Sequence, residues 1–256
     1  MLQKSKRAVG TGRLFFILTV LCLLGTAEVR AQRFFHVDAE SKSVKDGKKK
    51  VVEKSIYYVK GGNLNILWKA GGMSYYSVSS QFGLSSLYFP AKNETITLEP
   101  DMMKASDELL FLFAENGPED MGLSREGYFL RSTRKEGDHI IRRFEPRETK
   151  PMCARVEIVY NAGDFLPVYC AYFDKKGNVI TKTYLSNYKV EKGFAFPMRV
   201  TEISYLKEKN DSTVRLDIYR NLEIDVRSDE HYFRIPADAT PVDLKTGLKS
   251  YLQQQK

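Results

Sequence analysis

From Val51 onward the chain is written in short runs that alternate apolar and polar residues, each closed within ten or so positions by Gly, Pro or Asn. That pattern is the signature of half-buried antiparallel strands, because side chains of an extended chain point to opposite faces in turn. Val51 to Val59 is rich in β-branched and aromatic residues and ends at Gly61-Gly62. In Asn63 to Trp68, Leu64, Ile66 and Trp68 share a face, and Gly71-Gly72 breaks the run. Tyr76 and Val78 share a face in Ser74 to Ser80. Leu84 to Phe89 stops at Pro90, and Thr95 to Leu98 stops at Pro100. Later runs cover Gly127 to Ser132, His139 to Phe144, Ala154 to Tyr160, Pro167 to Asp174, Val179 to Tyr188, Phe196 to Leu206, Thr213 to Asp225 and Tyr232 to Ile235. Gly137-Asp138, Ala162-Gly163-Asp164 and Asp174 to Asn178 read as hairpin turns. Short connections between successive strands predict an antiparallel meander.

The period changes at Ser106 to Ala114. Leu109, Leu110, Leu112 and Phe113 follow a capping Ser106 with Asp107 and Glu108 in the first turn, and Gly117-Pro118 ends the segment. This predicts a helix. Weaker helical signals lie at Met121 to Arg125 and Leu244 to Gln255. The predicted fold is mainly β (α+β): a strongly curved antiparallel sheet forming an open half-barrel, with one or few helices over its concave face. A helix of about ten residues, some 15 Å long, cannot roof such a sheet alone, so the concave face is expected either to close on itself or to leave an apolar groove. Its expected lining is Leu64, Ile66, Trp68, Tyr76, Val78, Ile96 and Leu98 from strands and Leu109, Leu112 and Phe113 from the helix.

The N-terminus adds a location. Lys4, Lys6, Arg7 and Arg13 precede the apolar run Leu14 to Leu24, and Val29-Arg30-Ala31 offers small residues for a signal peptidase. The run is shorter than the roughly 20 residues that span a bilayer. Residues 1–31 are therefore expected to be a signal peptide cleaved near Ala31, 32–50 a poorly ordered segment, 51–243 the half-barrel domain, and 244–256 a tail or short helix. Residues 1–31 carry five basic and one acidic side chains, so their removal takes the net charge from +8 to +4. That surplus does not argue for nucleic acid. Lys48-Lys49-Lys50 reads as a solvated loop, with weak attraction to anionic lipid headgroups as the alternative.

Little in the sequence speaks for catalysis. His36, His139 and His231 lie far apart and are read as surface or turn residues; no metal site and no cofactor are expected, and no catalytic residues are assigned. Asp217 and Asp225 are read as carboxylates on solvated faces. Cys153 and Cys170 are expected to be buried free thiols, because pairing Val156 with Cys170 turns Cys153 to the other face.

Several pieces, in order, resemble the LolA and LolB type of lipoprotein carriers and their lipid-binding relatives. They are Asn63-Leu64-Asn65-Ile66-Leu67-Trp68; Leu87-Tyr88-Phe89-Pro90 with Glu94 to Leu98; Leu109 to Phe113; Arg143-Phe144-Glu145-Pro146; Phe173 to Asn178; and Tyr232 to Pro236. The resemblance is one of layout over residues 51–243. It implies a non-enzymatic periplasmic carrier or sensor that binds a lipid or a lipoprotein acyl chain in the groove. Partners would be lipid, lipoprotein or envelope membrane proteins. An envelope protein-interaction or regulatory module of the same fold is the alternative, and a carboxylate-based glycan hydrolase a third.

Overall fold

The computed structural model describes residues 34–79, 85–98, 119–124, 126–148, 153–206 and 211–243. They form one 14-stranded sheet. The strands are β1 (Phe34–Lys45), β2 (Lys48–Val59), β3 (Leu64–Ala70), β4 (Met73–Ser79), β5 (Ser85–Phe89), β6 (Glu94–Leu98) and β7 (Tyr128–Glu136). They continue with β8 (His139–Pro146), β9 (Arg155–Asn161), β10 (Pro167–Phe173), β11 (Val179–Glu191), β12 (Phe194–Leu206), β13 (Asp211–Ile224) and β14 (Thr240–Pro241). The spatial order is β14-β6-β5-β4-β3-β2-β1-β13-β12-β11-β10-β9-β8-β7. Two meanders, β1 to β6 and β7 to β13, are thus joined in the middle by the antiparallel β1–β13 ladder, which runs from Phe35↔Ile224 to Val44↔Val214. The sheet is the expected curved, open half-barrel.

Residues 34–45 correct the expectation of a poorly ordered segment. They form a 12-residue central strand whose Phe35, Val37, Ala39 and Ser41 are buried. The alternating polar partners His36, Asp38, Glu40 and Lys42 gave the segment its disordered look, yet they occupy only the other face. The domain therefore begins at β1 rather than at Val51. Two-residue turns at Asp46-Gly47 and Gly71-Gly72 have positive φ at both positions, the geometry whose twist matches flanking strands. Residues 121–124 form turns rather than the weak helix expected there. Asp229–Tyr232 is a single 3-10 turn, so the expected strand at Tyr232 to Ile235 is also corrected. The helices expected at 106–114 and 244–255 lie outside the described residues.

The register assigns side chains to two faces. The inner face carries Phe35 and Val37 of β1, Ile56 and Tyr58 of β2, Leu64 and Ile66 of β3, Phe196 and Val200 of β12, and Tyr219, Leu222 and Ile224 of β13, all buried in one cluster. Phe35 and Phe196 meet at 4.9 Å between ring centroids although β13 lies between their strands. Alternate strands are roughly 10 Å apart in a sheet, so these side chains converge, as they do on a concave face.

Candidate functional site

The inner face is built as three apolar clusters. The central one is described above. A second, toward β7, joins Phe144, Val156, Ile158, Tyr160, Cys170 and Leu185, and Met121 and Leu123 are buried against it. The turn at 119–124 is fixed in place by its own chemistry. Asp120 accepts the backbone N–H groups of Gly122 and Ser124, and the Tyr160 hydroxyl donates to the Glu119 carbonyl. The third cluster, Phe89, Ile96 and Leu98, sits toward the β6 edge. An aromatic row links it to the centre: Trp68 stacks on Tyr75 at 6.0 Å, and Tyr75 on Phe89 at 5.5 Å.

One group of polar side chains is set into this apolar surface. The side chain of Lys54 is 0% exposed and that of Asp217 1%, with Nζ 3.7 Å from Oδ1; Arg215 Nη2 lies 3.1 Å from Asp217 Oδ2. Lys54 and Asp217 belong to β2 and β13, with β1 between them. The small residues opposite them on β1, Ala39 and Ser41, leave room for the contact. Lys54 Nζ also lies 5.2 Å from the Trp68 ring centroid. Trp68 Nε1 and Ser77 Oγ are buried beside this group without a hydrogen-bond partner among the described residues. Taking charges out of water costs several kcal/mol per ion, which pairing offsets only in part. A cluster of this kind therefore marks a place where the fold gives up stability.

Of the predicted lining residues, Leu64, Ile66, Trp68, Ile96 and Leu98 lie on the inner face. Tyr76 and Val78 are corrected. They pair with Leu67 and Asn65 of β3, whereas Leu64, Ile66 and Trp68 pair with Ser79, Ser77 and Tyr75. Tyr76 and Val78 therefore point outward; the inner side chains of β4 are Met73, Tyr75, Ser77 and Ser79. Leu109, Leu112 and Phe113 lie outside the described residues. Asp217 was read as solvated, and Lys54 was not singled out. Both were legible in phase: Lys54 alternates with Ile56 and Tyr58, and Asp217 with Tyr219.

The outer face carries a second arrangement that the sequence reading missed. Residues 226–242 run across it as a strap. Asn65 Nδ2 donates to the carbonyls of Glu230 and His231, and Phe233 stacks on Tyr76 at 3.9 Å. His231, expected at the surface, is 2% exposed. Its Nδ1 accepts the Ser228 backbone N–H at 3.2 Å, so the ring proton resides on Nε2, which donates to the Phe35 carbonyl at 3.2 Å. Burial holds its pKa below the ordinary histidine value. The strap ends by pairing Thr240 and Pro241 in parallel with β6. A shallow outer cavity of about 250 Å³ is lined by polar groups, among them Asp38, Glu53, Ser55, Lys69 and Arg220.

Cys153 and Cys170 are free, Cys170 buried and Cys153 half-buried. The register that suggested this is itself corrected. A bulge between Pro167 and Tyr169 pairs Cys170 with Ile158, not Val156. Cys153 precedes β9, so strand alternation does not govern it, and it packs against the same cluster as Cys170. Among the described residues no group of three or more His, Cys, Asp or Glu could hold a metal ion, and no helix is long and apolar enough to cross a membrane.

No family model matches the sequence, and no curated protein matches it. Solved structures do match in fold. A LolA superfamily protein from Nitrosomonas europaea aligns at 12% identity and a TM-score of 0.57, covering 79% of this chain and 91% of its own. A DUF1329 family protein from Desulfovibrio piger aligns at 16% identity and 0.58, covering 86% and 95%. A putative outer membrane lipoprotein-sorting protein domain from Vibrio parahaemolyticus aligns at 12% and 0.53, covering 84% and 96%. The curved sheet, its strand order and these near-complete alignments together show that the chain has the LolA-type open half-barrel fold.

Proposed function

We propose that the protein is an exported, non-enzymatic carrier or sensor of the cell envelope that holds an acyl chain of a lipid or lipoprotein against the inner face of its sheet. The observation that carries this reading is the make-up of that face: three apolar clusters spread from β6 to β7, with small polar side chains such as Ser41, Ser77 and Thr183 between them and one enclosed charged group at Lys54, Asp217 and Arg215. Ligand sites are mostly apolar with a few convergent polar groups. An acyl chain gains about 0.8 kcal/mol for each CH2 removed from water. The Trp68–Tyr75–Phe89 row would bed the chain, leaving its polar end beside Lys54. Residues 1–31 act as the signal peptide, and the protein works in the periplasm after cleavage near Ala31. The sorting domain from Vibrio parahaemolyticus supports the choice of cargo by likeness of fold.

The chain contains a single tryptophan, Trp68, which makes the test direct. A fatty acid brominated along its chain should quench Trp68 fluorescence saturably, and organic extraction of the purified protein should yield lipid by mass spectrometry. A ligand-free extract together with unquenched fluorescence would refute the proposal.

A further inference from the structure

We infer that the end of the sheet bearing the β1–β2 turn is a docking surface for anionic phospholipid bilayers. Two rows of outward side chains and Tyr205 meet there. The register aligns Val51, Lys42, Leu216, Thr201, Tyr184 and Tyr169 across six strands. Beside that row run Lys49, Val44, Val214, Ile203 and Lys182, and beyond it stands Tyr205. Five of these are large apolar or aromatic residues left in water: Val51 is 53% exposed, Tyr184 42%, and Val44, Tyr205 and Val214 37% each. Ring contacts tie neighbouring side chains of the patch together. The rings of Tyr169 and Tyr184 lie 5.1 Å apart, and Lys182 Nζ lies 5.6 Å from the Tyr205 ring centroid.

Cations stand at this end of the sheet. At the β1–β2 turn Lys49 shares the patch's face while Lys45, Lys48 and Lys50 alternate to the other side of the exposed tip, and Lys175 and Lys176 occupy the β10–β11 turn at the same end. All six are exposed. Among the described residues the acidic side chains nearby include Asp46 and Asp174 at the two turns and Glu40 and Glu53 one row inward, where Glu40 pairs with Lys42.

The chemistry favours a bilayer over an acidic protein. Protein interfaces are enriched in Arg and depleted in Lys, whereas these six cations are all lysine. Lysine lays its methylene stem on apolar surface while its ammonium stays at headgroup level, and tyrosine is enriched at the membrane–water boundary, where its ring is half immersed. The valines and tyrosines would enter the headgroup layer while the lysines meet its phosphates. Docking would bring the sheet to the membrane surface, and it requires nothing of the inner face.

Retention of the purified protein on phosphatidylcholine vesicles, with and without phosphatidylglycerol, tests the inference. Retention should appear with phosphatidylglycerol and fall as salt rises. Each juxtamembrane lysine is worth about fivefold in binding, so Lys49→Ala, Lys175→Ala and Lys176→Ala combined should weaken retention by roughly a hundredfold. Tyr184→Ser with Tyr205→Ser should weaken what survives at high salt. Both variants change exposed side chains, and unchanged quenching of Trp68 by the brominated fatty acid would separate loss of docking from loss of cargo binding. Absence of retention at low salt, equal retention by the lysine variant, or equally tight binding to soluble polyglutamate that ignores Tyr184 would each overturn it.

Discussion

The two halves of the inner face are built differently. Toward β7 the surface is an ordinary core: Met121 and Leu123 come down on Phe144, Val156, Ile158 and Tyr160, and the turn that delivers them is tied by Asp120 and by the Tyr160 hydroxyl. In the centre the same sheet encloses a charged group, Lys54 with Asp217 and Arg215. A core that needed only stability would place apolar side chains at those three positions, since replacing a buried ion pair by packed hydrophobic residues is often neutral or stabilising. The β7 side is therefore packed as a core, whereas the centre gives up stability at its charged group.

That contrast can be broken by experiment. The largest effect is expected from Asp217→Ala, which strips the carboxylate from between two cations. It should cost about 3–5 kcal/mol in denaturant unfolding, and Lys54→Met combined with Asp217→Leu should recover most of the loss. A single variant as stable as the parent would remove the case for a polar group enclosed in the centre. Met121→Ala should cost about 2–5 kcal/mol while leaving fatty-acid quenching of Trp68 unchanged in the folded fraction. If quenching vanished instead, the β7 side would belong to the ligand site.

A smaller effect is tied to pH. His231 has a folded-state pKa below its unfolded value, so the unfolded chain takes up the proton first as pH falls. Its contribution is complete above the unfolded pKa, near 6.5, and is lost as pH drops toward the folded value. The groups facing it are His36 and Tyr57 on the sheet and Glu230 on the strap. Thermal stability should decline on acidification below pH 6.5, and less steeply in His231→Gln; identical slopes would show that the strap's histidine is not the sensor. The smallest effect concerns sulfur. Burial pushes the Cys170 thiol up to about 12, so at pH 8 it should resist a thiol reagent in the folded protein and react on unfolding.

What the sequence displayed and what it hid follow one physical rule. Turns and strand phase are local, and they were legible: Gly71-Gly72, Gly137-Asp138 and the shared face of Leu64, Ile66 and Trp68 needed only neighbours along the chain. Which face of one strand matches which face of the next depends on the residue count of the turn between them. Tyr76 and Val78 were placed inward for that reason, because the two-residue turn at Gly71-Gly72 sets Tyr75 opposite Trp68. Polar strands are hidden in another way. His36, Asp38 and Glu40 cover one face of β1 so completely that the buried Phe35, Val37 and Ala39 went unread. His231 and the strap could not be anticipated, since Asn65 reaches them across 165 residues or more of sequence.

The β1–β13 ladder joins residues near opposite ends of the domain, while other antiparallel neighbours in the sheet follow one another along the chain. Each meander can be assembled as soon as its own strands exist, but the seam cannot. As the chain is made N-terminus first, its opening strand must wait with one raw edge for the thirteenth to arrive. Such an edge is a template for wrong pairing. Synthesis therefore carries a built-in interval of vulnerability, and a chain cut short before Asp211 would leave both half-sheets permanently unsealed.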